Sequence, residues 1–200
     1  MNVTGFVPTA KPEAPRTTKP VMAPAVFGTI VFVITELMFF MALLSAYHVV
    51  KSRAFVDWSP PNDVRLPVLV TYINTLILMA SGILLLNAEK SYRHRETQAK
   101  AASAYLQALV LGAVFVGVQG YEWMKLIQLG FTISAGLFSA TFFLLIGSHA
   151  FHAVGALLVM AALWPSVKSG RITLDRLRAM TIFWFFIVGV WPILFGTVYF

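Results

Sequence analysis

Of two hundred residues, 58% are apolar and only 12% charged, against about 45–50% and about 25% in a soluble domain. A mean hydropathy of +0.79 points to a membrane protein, with room for at most about six spans of ~20 apolar residues each and no large soluble domain. The chain has no cysteine, which excludes disulfides, thiolate nucleophiles, iron–sulfur clusters and cysteine zinc sites and leaves only histidine, carboxylate and hydroxyl chemistry.

Taken in chain order, residues 1–23 hold prolines and scattered charge before any apolar run and read as a flexible cytoplasmic leader. They lack the apolar core and small-residue cleavage site of a signal peptide. Five apolar runs follow, at about 24 to 50, 66 to 88, 101 to 127, 133 to 163 and 175 to 200. All five are expected to be helices, because a backbone in hydrocarbon must satisfy its own N–H and C=O groups and the alternating segments of an outer-membrane barrel are missing. The expected fold class is therefore all-α, a polytopic bundle of five transmembrane helices filling residues 24–200. Small residues recur at helical spacing, Gly112 with Gly120 and Gly136 with Ala140, and predict close helix contacts.

Five spans place the N-terminus and the loops near 89–100 and 164–178 on one side of the membrane. That side holds eleven of the fifteen Lys and Arg residues. The positive-inside rule then predicts a cytoplasmic N-terminus and an outer C-terminus. One basic face against anionic headgroups accounts for the net charge of +7 without nucleic acid. Arg93 and Arg95, at the end of the second run, are candidate lipid-headgroup ligands.

An ionisable group at membrane depth costs at least ~2.5–3.5 kcal/mol on insertion scales, so each needs a partner or a task. Glu36 sits near the centre of span one, His149 and His152 near the middle of span four, and Glu122 close to the outer end of span three; Asn74 and Gln119 add neutral polarity. His149 and His152, at i and i+3, share a helix face and could meet one partner. Desolvation favours a neutral Glu36, which can both donate and accept, so Glu36 with His149 or His152 forms a candidate inter-helix clamp. The same groups would relay protons only if water reached them. The count argues against a resident metal: two buried carboxylates and no Glu-x-x-His do not make a di-iron site, and a haem held by two histidines takes them from opposite faces. No GxSxG elbow, phosphate loop or HExxH motif is present, and no catalytic residue is assigned.

Several short motifs in order resemble subunit III of the haem-copper terminal oxidases, the cytochrome c and quinol oxidases. Thr35-Glu36-Leu37-Met38-Phe39-Phe40 resembles that family's S/T-E-x-x-F-F helix, and Trp58-Ser59-Pro60-Pro61 its W-P-P exit loop. Asn74-Thr75 with Ser81-Gly82, Gln119-Gly120-Tyr121-Glu122-Trp123 and Phe131-Thr132-Ile133-Ser134 fit its next three motifs. Phe142-Phe143 through Gly147-Ser148-His149-Ala150-Phe151-His152 is similar to F-F-x-x-T-G-x-H-x-x-H. Two features depart from the pattern. The two extra N-terminal helices of the seven-span form are missing, as in the five-span bacterial version. In the last helix, Phe185 and Val188 stand where the family usually shows His and Asp, and losing both avoids stranding either one.

The resemblance implies a subunit of a respiratory haem-copper oxidase in the cell membrane that binds no haem or copper itself. It would pack on subunit I beside subunit II, support oxygen reduction, proton uptake and complex stability, and hold phospholipids. Glu36, Asn74, Gln119, Glu122, His149 and His152 would form a buried polar framework. Three alternatives stand beside this reading: the subunit-III-like protein of a nitric oxide reductase, a small proton or ion transporter using Glu36 and the histidines, and an isolated membrane enzyme.

Overall fold

A computed structural model of the chain describes residues 22–54, 58, 60, 66–94 and 98–199. The leader at 1–21 and Arg95 lie outside these residues. The described chain is all-helical: α1 (Pro24–Arg53), α2 (Val68–Arg93), α3 (Gln98–Gln128), α4 (Leu137–Lys168) and α5 (Leu174–Tyr199), with one 3₁₀ turn at Ile133–Ala135. Each of the five is long and apolar enough to cross a membrane, with mean hydropathy between 1.9 and 2.3 over its best stretch. The protein is a multi-pass membrane protein.

The ends of these helices follow backbone chemistry more than hydropathy. Pro24 opens α1 in the first turn, where its missing N–H costs nothing, and Lys51 and Arg53 close it on the negative end of the helix dipole. At the end of α3, Gly130 takes φ 87°. There the Phe131 N–H donates to the Leu126 carbonyl and the Gly130 N–H to that of Ile127, both at 3.0 Å. The end of α4 repeats this cap: Gly170 takes φ 69°, the Arg171 N–H reaches the Ser166 carbonyl at 2.9 Å and the Gly170 N–H that of Val167 at 3.1 Å. Both are Schellman motifs, which need a left-handed residue that glycine adopts without a Cβ clash. The caps shift two expected boundaries. The fourth helix starts at Leu137 and not near 133, after the turn that follows Gly130, and it runs through Pro165 to Lys168, well past 163.

Helices α2 and α3 form the most intimate pair, and α5 lies against α1, α2 and α4. Of its most apolar stretch α5 buries 50%, whereas α1 buries 11%. The centre of the bundle is thus α5, whose Trp184 and Trp191 are fully buried, and α1 is an outer helix with a largely uncovered apolar surface. Gly112 of α3 makes a close helix approach that requires glycine: a Cβ there would lie 2.7 Å from the Trp184 ring and 2.8 Å from Leu157. The expected partner glycine, Gly120, has open space where a Cβ would sit, and so has Gly136. Spacing alone does not distinguish a small residue at a helix crossing from one facing outward.

At one end of the bundle the α2–α3 and α4–α5 turns dock on each other. The Tyr92 hydroxyl faces the carbonyls of Gly170 and Ile172, the Gln98 amide donates to the Lys168 carbonyl at 2.7 Å, and the Arg178 guanidinium meets Glu89 at 3.3 Å. Two of the basic loops in the charge count therefore share one end. At the opposite end an aromatic layer closes the bundle: Trp58 packs edge-on to Tyr47 at 5.5 Å and to Phe138 at 5.6 Å, and its indole N–H donates to the Tyr47 hydroxyl at 3.2 Å.

Candidate functional site

Several of the polar groups at membrane depth form separate contacts between helices. Glu36 on α1 meets His152 on α4, with Oε2 2.9 Å from Nε2. The other ring nitrogen, Nδ1, lies 2.7 Å from the Ser148 carbonyl. A carbonyl oxygen only accepts, so Nδ1 carries a proton, and a single further proton is shared between Glu36 and Nε2. Whichever atom holds that proton, the pair as a whole is electrically neutral, which is the state hydrocarbon favours. Phe40 and Phe39 wall it in, their ring centroids 5.4 and 6.2 Å from that of His152.

His149 does not join this pair. Its ring turns inward, 1% exposed, and is tilted against Trp191 at 5.0 Å; the Phe40 ring packs near both histidines, its centroid 6.3 Å from that of His149 and 5.4 Å from that of His152. Of the two histidines that could clamp Glu36, His152 does so through Nε2, and His149 faces α3 and α5. Neither nitrogen of His149 has a hydrogen-bond partner among the described residues.

Of the remaining expected residues, Asn74 and Gln119 bridge other helices. The Asn74 amide of α2 donates to the Phe115 carbonyl of α3 at 3.0 Å. Gln119 of α3 donates to the Tyr199 hydroxyl of α5 at 3.4 Å. Glu122 pairs within its own helix with Lys125 at 2.9 Å, and the ammonium also sits 4.3 Å from the centroid of the Tyr121 ring. Arg93 is exposed beside His94 at 3.3 Å. Among the described residues no three histidine or carboxylate side chains converge as a metal site would require.

Sequence reasoning missed the tryptophan anchors. The Trp184 indole donates to Ser81 at 3.1 Å and that of Trp191 to Thr75 at 2.8 Å, while the Tyr105 hydroxyl donates to the Met160 carbonyl at 2.9 Å. A signal was available: Trp184 and Trp191 stand two helical turns apart, matching the hydroxyls of Thr75 and Ser81 across the α2–α5 crossing. In the same crossing, Val188 places both methyls 3.5 Å, and Phe185 its ring tip 3.7 Å, from where a Gly82 Cβ would be. The two apolar replacements in the last helix thus fill a contact over a glycine.

This order of motifs along five helices is matched by comparison with known proteins. The profile of the family described as "Cytochrome c oxidase subunit III" matches residues 13–200. The chain belongs to that family. Similar members include a "Probable cytochrome c oxidase subunit 3" of Nocardia farcinica, 32% identical with 86% of each chain covered. The "Cytochrome c oxidase subunit 3" of Thermostichus vulcanus is 29% identical over 87% of this chain and 86% of the relative. That of Marchantia polymorpha is 31% identical over 86% of this chain and 67% of the relative.

Proposed function

We propose that this chain is the cofactor-free subunit III of a respiratory haem-copper oxidase, a cytochrome c oxidase, in the cell membrane. It packs on subunit I, in a complex with subunit II, and sustains oxygen reduction, proton uptake and the integrity of the complex. Family membership is the observation that carries this reading. The haem and copper belong to the partner subunits, and this chain's residues act by packing and by holding polar groups in place.

Three features of the fold support the role. The outer helix α1 leaves Phe27, Ile34, Met38 and Met41 exposed along its length, a surface suited to a large apolar neighbour. Its one carboxyl, at membrane depth, is fixed by the contact to His152. A groove of about 290 Å³ between α1, α4 and α5 is walled by Phe32, Leu163, Met180 and Phe183, with Arg176 at its edge. It fits a phospholipid with its phosphate at the guanidinium, and Arg93 adds to the same basic face, which on this reading lies in the cytoplasm with the N-terminus.

The test compares the assembled oxidase with and without this subunit by recording oxygen consumption over many turnovers. The expected result is an initial rate within about twofold of the complete complex and a much faster decline without the chain. Loss of the first turnover in an otherwise intact complex contradicts a supporting role.

A further inference from the structure

We draw no further inference here: the strongest candidate, the groove between α1, α4 and α5 with Arg176 at its edge, belongs to the lipid-binding site already described.

Discussion

Removing the Glu36 carboxyl isolates the contribution of the α1–α4 contact. In Glu36→Ala, Nε2 of His152 loses its partner at 2.9 Å while Nδ1 keeps the Ser148 carbonyl. The side chains of His152 and Glu36 are 14% and 17% exposed, so water reaches the orphaned nitrogen only in part. Hydrogen bonds between membrane helices average about 0.6 kcal/mol with a maximum near 1.7, and bonds to charged groups reach about 1.5–3 kcal/mol in soluble proteins. Buried at one edge of the bundle and shielded by two phenylalanines, this bond belongs in the upper part of the membrane range. A coupling of about 1–2 kcal/mol is expected, equivalent to roughly a five- to thirtyfold shift in the equilibrium it governs. The assay is a double-mutant cycle with Glu36→Ala and His152→Ala, read from denaturant unfolding of the detergent-solubilised complex. Glu36→Gln supplies the control, because its amide still donates to Nε2 and retains most of the bond. Additive effects of the two alanine changes, or a Gln variant as damaged as the Ala variant, would refute the shared-proton contact as a stabilising unit.

Other outcomes follow from the packing. Gly112→Val should prevent stable accumulation of the subunit, since even the first added carbon meets the buried Trp184 ring at 2.7 Å, whereas Gly82→Ala, with 3.5 Å to Val188, should accumulate normally; immunoblots of membranes compare the two. Val188→Asp, restoring one of the two family polar residues alone, places a carboxyl in a buried α2–α5 contact and should destabilise by about 2.5–3.5 kcal/mol, with partial recovery on adding Phe185→His at i+3 spacing; thermal unfolding of the complex reads both. Tyr92→Phe frees the α2 end from the Gly170 and Ile172 carbonyls and should speed proteolysis in the α4–α5 turn without altering haem spectra of the complex.

How far the sequence reveals this molecule depends on which physical quantity each feature obeys. Helix number and the polar residues at depth were legible because insertion into hydrocarbon is governed by the sum of side-chain transfer energies along about 20 residues, and Glu36 and the two histidines stand out against that sum. Helix ends were less legible. Hydropathy falls at residue 88, but α2 continues through Lys90 to Arg93, because hydrogen bonding persists where polar side chains reach the interface. Likewise α3 begins at Gln98 and not 101. Azimuth was the least legible quantity. The i and i+3 rule places His149 and His152 on one face, but that face straddles the boundary between the α1 contact and the core, so His152 meets Glu36 and His149 packs on Trp191. The tryptophan anchors depend on the same azimuth: only the fold shows that Trp184 and Trp191 point at Ser81 and Thr75.

The central claim is that this bundle serves a larger oxidase and owns no redox centre. Purifying the tagged chain from native membranes in mild detergent, with a visible spectrum and a subunit gel of the same fraction, tests it most directly. The account predicts haem bands that accompany a large multi-span partner and vanish when that partner is washed away. A colourless homo-oligomer, or haem that stays with this chain alone, would contradict it.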